Sequence, residues 1–334
     1  MTARAILVLG MHRSGTSALA RLLSLCGAAL PRHLIEADAA VNAAGFWEPR
    51  EIVALHDEVL AAAGSSWHDI RSFPQSWFDS AVAASFRERL GASITREFGA
   101  APLLVVKDPR LCRLLPLWRP VLAGLGIEPC AVIAIRNPLE VAASLEKREG
   151  FGPGISLLLW LGHVLAAELH SRDMPRCFVT YDQCLADGPG TARRIGTTLG
   201  IAWPRQSSEQ APEIAAFLSG TLRHHVVASD ELFARPDIAQ QIKDLYRWAR
   251  RAAEGGPPPL EIPNRIRDEI GRCEPVFAPA IEALAGAAER QSDDLEHWIG
   301  VAAERYAMIE RLFADVAVLQ TRIEALAAEA RAAR

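Results

Sequence analysis

The chain has 334 residues, of which 50% are hydrophobic and 23% are charged, so it can bury one large core or two smaller ones. Its formal net charge of −4 argues against a general polyanion-binding protein, although a nucleotide pocket needs only a local group of cations. The six cysteines are scattered without a C-x-x-C pair, so we expect free thiols in a reducing compartment.

The N-terminus leads into a strand-like apolar run and lacks the long apolar stretch and cleavage site of a signal peptide. The longest apolar stretch, residues 155–169, is too short to span a bilayer. We therefore expect a cytoplasmic protein that has no membrane span. From its net charge we also expect that it does not bind nucleic acid.

Four short apolar runs predict buried parallel strands, at residues 5–9, 103–106, 130–135 and 177–180. Each run is followed by helix-like sequence, and this alternation predicts an α/β fold with a parallel sheet. After the third run, Asn137 suits a helix N-cap and Pro138 suits the first helical position. We expect a three-layer domain of the P-loop type.

A Gly- and Pro-rich stretch at residues 255–259 interrupts this pattern and predicts a boundary between residues 1–254 and a helical C-terminal segment, residues 260–334. From Ile309 to Ala330, apolar residues recur at alternating spacings of three and four, which predicts a coiled coil beginning at about residue 298. A homodimer through this helix would follow. An amphipathic helix packed on its own domain explains the same pattern.

The strongest functional signal is the segment Gly10-Met11-His12-Arg13-Ser14-Gly15-Thr16-Ser17, directly after the first strand. A glycine-bearing turn between strand and helix points backbone N–H groups at a bound anion, and the helix dipole adds to the attraction. Arg13 supplies a fixed positive charge. Three hydroxyls can donate to phosphate oxygens, those of Ser14, Thr16 and Ser17. The alternative is an ordinary strand–helix turn.

This loop differs from the Walker A motif, G-x-x-x-x-G-K-[ST], because Thr16 stands in the lysine position. The difference argues against an NTPase or an ordinary kinase. With its cation at Arg13, before the glycine, the loop resembles the 5′-phosphosulfate loop of the sulfotransferases that use 3′-phosphoadenosine-5′-phosphosulfate (PAPS). The resemblance implies cofactor contacts from His12, Arg13, Ser14, Gly15, Thr16 and Ser17.

A second element resembles the 3′-phosphate site of the same family, in which an arginine ends a strand and a serine follows eight residues later. Here these residues are Arg136 and Ser144. Arg136 can grip a phosphate through two N–H groups, and Ser144 lies about two turns into the next helix. A 3′-phosphate site distinguishes PAPS from ATP. Taken alone, Arg136 could equally pair with a carboxylate, with Ser144 as a surface hydroxyl.

The resemblance covers approximately residues 5–230, and the subgroup it is most similar to comprises bacterial sulfotransferases with G-x-H-R-S-G-T-S, G-F-W-E and K-D-P-R segments. It implies that Tyr181 lies near the adenine. Two features depart from the cytosolic small-molecule enzymes. Ala18 replaces their adenine-stacking tryptophan, and their R-K-G motif is missing, with Arg-His-His at residues 223–225 as a stand-in.

Sulfuryl transfer needs a base that takes the acceptor's proton and cations near the bridging oxygen of the leaving phosphate. Lys107 matches a strand-end lysine of the cytosolic enzymes, but Pro109 stands where they have the catalytic histidine. Carbohydrate- and protein-modifying relatives use a glutamate after the first helix. Glu48 lies there and is the leading candidate for the base, followed by Asp108 and His56.

The resemblance thus implies a sulfotransferase that moves a sulfuryl group from PAPS to an acceptor hydroxyl, releasing 3′-phosphoadenosine-5′-phosphate (PAP). We expect no metal, a carbohydrate or other cell-envelope precursor as acceptor, and PAPS lying across the carboxyl ends of the first and third strands. Two alternatives stay open. One is a nucleotide-binding phosphotransferase, and the other is a non-catalytic PAP-binding scaffold that recruits partners through a coiled coil.

Overall fold

The computed structural model describes residues 2–38, 45–206, 208–218, 227–255 and 258–284, together with scattered helical residues between 286 and 311. The described residues form one compact unit that ends at Ile270 and a second unit that begins at Gly271. The first unit contains the sheet. In the second unit, residues 271–284 are helical.

Four parallel strands form one sheet in the order β2-β1-β3-β4, with β1 at Ala3–Leu9, β2 at Leu103–Lys107, β3 at Ile127–Ile135 and β4 at Arg176–Thr180. All four predicted strands are confirmed. Strand β3 begins three residues before the apolar run that predicts it. Those three residues are partly buried or exposed, so they do not belong to the buried apolar run. The strand order reverses between β1 and β3, which creates the crevice where open α/β sheets bind ligands.

The helices of the first unit include α1 (Thr16–Leu25), α2 (Arg50–Ala62), α3 (Ala81–Phe98), α4 (Leu111–Gly124), α5 (Pro138–Glu149), α6 (Pro153–His170), α7 (Tyr181–Ala186), α8 (Gly188–Leu199), α9 (Ala211–Phe217), α10 (Ser229–Ala234) and α11 (Gln240–Ala253), and residues 261–270 at its end are also helical. A short 3₁₀ helix spans Gln75–Asp79. Helix α5 begins as predicted, because Asn137 caps it through the Leu139 N–H at 3.0 Å and Pro138 is its first residue.

Alternate side chains of β1 point into two separate hydrophobic cores, one on each face of the sheet. Ala5, Leu7 and Leu9 pack in the core built with α2 to α6 and α11. Ile6 and Val8 pack in the other core, with α1, α8 and α9. Helices therefore cover both faces, and the predicted three-layer α/β class is confirmed.

Residues 258–270 belong to the first unit, although the sequence pattern predicts most of them in the C-terminal segment. The Trp248 Nε1–H donates to the Pro259 carbonyl at 2.8 Å, and Arg267 Nη2 donates to Glu168 at 3.0 Å. These contacts join the residues to α11 and α6. Apart from Arg311, the predicted coiled-coil seam lies outside the described residues, and so does the segment at 223–225.

Within the described part of the chain, no single helix has the length and hydropathy of a membrane span. Helices α5 and α6 meet those criteria only as a pair, with a bend of 119° between them.

Candidate functional site

A cavity of about 490 Å³ is lined by residues at or just after the carboxyl ends of all four strands. Its described lining is strongly cationic. Five cations, Arg13, Lys107, Arg110, Arg136 and Arg148, face two carboxylates, Glu48 and Glu149. This excess of positive charge suits a polyanionic ligand.

The loop between β1 and α1 has the irregular backbone expected of an anion-binding turn. Gly10, Arg13 and Gly15 all have positive φ angles, of 143°, 67° and 87°. A Cβ atom on Gly15 would lie 2.3 Å from Cδ2 of Tyr181, so only glycine fits there. The positive φ of Arg13 is unfavourable for a residue with a side chain, which is common where a backbone is shaped for function.

Arg13 and Ser144, which the sequence motifs place in two phosphate sites, are in direct contact. The Arg13 Nε–H donates to Ser144 Oγ at 2.8 Å, and Arg136 Nη1 donates to the Arg13 carbonyl at 2.9 Å. Ser144 is buried and therefore not a surface hydroxyl. The loop after β1 is thus tied to the element after β3, and the two predicted phosphate sites adjoin.

Arg136 combines the two roles that the sequence left open. Its Nε–H donates to the buried Glu140 at 2.8 Å, so it does pair with a carboxylate. The same guanidinium lines the cavity and lies 4.6 Å from the ring centre of Tyr181. Glu140 also accepts from the Val227 N–H at 3.0 Å. Glu140 therefore fixes the orientation of Arg136 at the cavity wall.

Glu48 and Lys107 form a buried ion pair that lines the cavity. Lys107 Nζ donates to Glu48 Oε1 and, at 3.2 Å, to the Phe46 carbonyl. Burial raises the pKa of Glu48, and the charge of Lys107 opposes the rise. The site thus holds a carboxylate that can accept a proton next to an ammonium group that can stabilise developing negative charge.

Asp108 and His56, the other two candidates for the base, lie behind the cavity wall. Both are fully buried, and neither lines the cavity. His56 Nδ1–H donates to Asp108 at 2.7 Å, and His56 Nε2 accepts from Trp118 Nε1–H at 2.8 Å. Both ring nitrogens of His56 are therefore occupied, which leaves neither one for an acceptor hydroxyl.

Asp108 and Asp57 hold Arg110 at the cavity wall. Asp108 accepts from Arg110 Nη1 at 3.1 Å, while Asp57 accepts from Nε at 2.7 Å and from Nη2 at 3.0 Å. Burial alone would raise the pKa of Asp108, but the charge of Arg110 and the hydrogen bond from His56 hold it well below its usual value. Asp108 is thus an anion at neutral pH that positions a cation.

Most of the remaining predicted contacts lie at the cavity: His12, Gly15, Thr16, Ser17 and Tyr181. Ser17 Oγ donates to the Phe46 carbonyl at 3.2 Å. Ser14 does not line the cavity. Its Oγ is buried and finds no hydrogen-bond partner among the described residues.

The cavity also holds residues that the sequence analysis does not assign to the site, among them Trp67, Arg110 and Arg148. The ring of Trp67 packs 4.5 Å from His12, and Arg148 lies 5.7 Å from the Trp67 ring centre. Arg110 belongs to the K-D-P-R segment and carries a usable signal. Trp67 and Arg148 stand outside any recognised motif, so only the fold brings them to the site.

No protein-family model matches the chain, and a search of curated proteins found no relative. Among solved structures, the sulfotransferase domain of the curacin biosynthetic pathway is 15% identical over 80% of this chain and 98% of its own, with a TM-score of 0.38. Sulfotransferase STF1 from Mycobacterium tuberculosis is 15% identical over 66% of this chain and 77% of its own, with a TM-score of 0.37.

The sulfotransferase domain of the Synechococcus olefin synthase is also 15% identical, over 81% of this chain and 95% of its own, with a TM-score of 0.39. Because these scores are low, we infer the function from the side chains of the cavity.

Within the described residues, no group of three or more His, Cys, Asp or Glu side chains has the arrangement of a metal site.

Proposed function

We propose that the protein transfers a sulfuryl group from PAPS to the hydroxyl of an acceptor. The observation that carries this proposal is the buried Glu48–Lys107 pair beside a phosphate loop whose cation is Arg13. A phosphate loop explains binding of a 5′-phosphosulfate. The adjacent carboxylate and ammonium group supply what transfer to a hydroxyl requires.

The donor nucleotide would be held by the loop and by the element after β3. Backbone N–H groups at the start of α1 and the Arg13 side chain would bind the 5′-phosphosulfate. Arg136, at the cavity wall, would bind the 3′-phosphate together with Ser144, which is buried beside Arg13 and does not itself line the cavity. The ring of Tyr181, which packs against Gly15 and Arg136, would contact the adenine.

In the transfer step, the acceptor oxygen forms a bond to sulfur while the bond between sulfur and the bridging oxygen of the donor breaks. Glu48 takes the acceptor's proton. The electron pair of the broken bond stays on the phosphate of PAP, where Lys107 and Arg13 stabilise the added negative charge. Arg110, held by Asp108 and Asp57, adds positive charge to the same cavity.

The acceptor would enter beside Trp67, whose ring lines the cavity together with Phe46, Ile35 and Val53. We propose a carbohydrate acceptor. The flat ring of Trp67 can pack on the apolar face of a sugar, while the hydroxyls of the sugar form hydrogen bonds with the charged side chains of the cavity.

Transfer of labelled sulfate from PAPS, screened across glycan, lipid and phenol acceptors, tests this proposal. We expect label in at least one acceptor class, with the glycans first. Binding of PAP without transfer to any acceptor would favour the non-catalytic scaffold. Equal binding of ATP and PAP, with phosphoryl transfer from ATP, would favour the phosphotransferase.

A further inference from the structure

A second cavity, of about 250 Å³, shares none of its lining residues with the first. One wall is the face of α6, and the other is formed by residues 69–73 together with Gln75, Arg113, Arg267 and Ile270. Its lining is mainly apolar, with five leucines from α6: Leu158, Leu159, Leu161, Leu165 and Leu169. The proposed sulfuryl transfer makes no use of this cavity.

Two histidines of α6 line this cavity, and the backbone fixes the tautomer of each. The Nδ1 atom of His163 lies 2.8 Å from the Leu159 carbonyl, and that of His170 lies 3.0 Å from the Cys112 carbonyl. A carbonyl oxygen can only accept, so each Nδ1 carries the proton. In a neutral ring the other nitrogen, Nε2, is then an acceptor only.

Both rings are neutral at physiological pH. Burial, with the charge of Arg113, lowers the pKa of His163 to about 4. Burial also lowers the pKa of His170. Neither Nε2 atom has a hydrogen-bond partner among the described residues. A buried acceptor without a partner costs free energy, and a ligand that brings a donor recovers it.

We infer that this cavity binds a small, largely apolar molecule with one hydroxyl, which donates a hydrogen bond to Nε2 of His163 or His170. The five leucines favour an apolar body, and the two Nε2 acceptors favour a donor. Three arginines also line the cavity, but each is held by groups of the protein: Arg71 by Asp69, Arg113 by the carbonyls of Ser66 and Arg71, and Arg267 by Glu168. A carboxylate would place its oxygens against the two Nε2 acceptors, so we expect a neutral ligand to be preferred to an anion. Because an apolar cavity of about 150 Å³ holds benzene, this larger cavity has room for a substituted phenol or a short alcohol.

Three matched ligands test the chemistry of the cavity on the full chain: para-propylphenol, its methyl ether and para-propylbenzoate. Isothermal titration at neutral pH should rank them in that order. We expect the phenol to bind about three- to tenfold more tightly than the ether, since they differ in one donated hydrogen bond. Equal affinity for phenol and ether, or tighter binding of the benzoate, would overturn the inference.

Two glycines of α6 provide a matched pair of variants that locates the binding. Gly162 lines the cavity and Gly154 does not, and at both positions an added Cβ would have no neighbouring atom within 4 Å. Both lie in α6, Gly154 in its first turn and Gly162 in its interior, and leucine is a better helix former than glycine. Gly162→Leu should weaken binding of the phenol at least tenfold, whereas Gly154→Leu should not change it.

Both variants should bind PAP like the unmodified protein, because neither glycine lines the first cavity. Unchanged phenol binding in Gly162→Leu would show that the phenol binds elsewhere and would overturn the inference. None of these measurements requires sulfuryl transfer, so the inference stands or fails separately from the proposed function.

Discussion

The two cavities lie in the same unit and use opposite chemistry. In the first, five cations line the cavity beside the proposed phosphate loop, and even its candidate base is half of an ion pair. In the second, five leucines and two histidines that burial keeps neutral line the wall formed by α6, and the three arginines at the cavity are held by other groups of the protein. Charged residues from distant segments meet at the first cavity because the carboxyl ends of parallel strands lie at one edge of the sheet. At the second cavity, each histidine donates from Nδ1 to a backbone carbonyl, which leaves Nε2 as a neutral acceptor.

If charge governs the first cavity, removal of the Glu48 charge should have the largest effect on turnover. Glu48→Gln should lower kcat by about 10²–10⁴-fold, because the acceptor proton loses its base. PAP affinity, measured by titration, should change little, and phenol binding to the second cavity should stay the same. Full activity in Glu48→Gln would remove Glu48 from the proposed mechanism.

Glu149→Gln is the matched control, since Glu149 also lines the cavity and also pairs with a cation, Arg148, but has no proposed role in proton transfer. It should retain turnover. The pH profile adds a second test: because burial raises the pKa of Glu48, kcat should fall on the acid side at a pH above the usual glutamate value of about 4.3. That acid limb should disappear in Glu48→Gln.

Substitution of Asp108 tests whether this residue supports the wall of the first cavity rather than taking part in the reaction. Asp108→Asn should lower the free energy of unfolding at pH 7 by about 3–5 kcal/mol, because it leaves Arg110 without a buried partner. The pKa of Asp108 is depressed, so its contribution is complete above the unfolded value of about 3.9 and is lost as pH falls below it.

Chemical denaturation of the unmodified protein and of Asp108→Asn, at pH 7 and at about pH 3.5, checks this expectation. The difference in the free energy of unfolding between the two proteins should be smaller at the lower pH. Unchanged stability together with complete loss of turnover would instead indicate that Asp108 is the base.

Gly15 tests whether the shape of the phosphate loop matters apart from its charge. Gly15→Ala adds a side chain at positive φ, which costs about 1–2 kcal/mol, and the methyl group overlaps Tyr181. We expect at least tenfold weaker PAP binding. Gly150→Ala is the control, because Gly150 also has positive φ but has open space at its Cβ position. Equal PAP affinity in the two variants would argue against a phosphate loop at residues 10–17.

Substitutions of Arg136 and Glu140 distinguish an effect on PAP binding from an effect on the stability of the site. Arg136→Ala should weaken PAP binding by about 1.5–3 kcal/mol, the contribution of a charge-assisted hydrogen bond. It should also lower the melting temperature, because Glu140 loses a buried partner. Adding Glu140→Gln should restore the melting temperature but not PAP binding. If the double variant regains PAP binding, Arg136 acts only by pairing with Glu140.

Features that depend on neighbouring residues can be predicted from the sequence. The four strands are apolar runs, Asn137 and Pro138 start α5, and the Gly10–Ser17 segment follows a strand directly. Local motifs identify Glu48 and Lys107 separately, but they do not predict the ion pair between them. Contacts between distant segments also escape prediction, such as the bond between Arg13 and Ser144.

The second cavity could not be predicted, for two physical reasons. Its walls come from residues separated by roughly 200 positions in the chain, from Asp69 to Ile270. In addition, a buried histidine at helical spacing looks the same in sequence whether or not its Nε2 finds a partner. Only the position of the Leu159 and Cys112 carbonyls shows that Nε2 is the acceptor nitrogen of His163 and of His170.

The most direct test of the central claim, a first cavity built for a nucleotide with two separate phosphate groups, is the titration of the unmodified protein with PAP and with AMP at one ionic strength. Because one added charge-assisted site contributes about 1.5–3 kcal/mol, PAP should bind about 10- to 150-fold more tightly than AMP. Equal affinities for PAP and AMP would contradict a 3′-phosphate site at Arg136 and Ser144, and with it the assignment of PAPS as the donor.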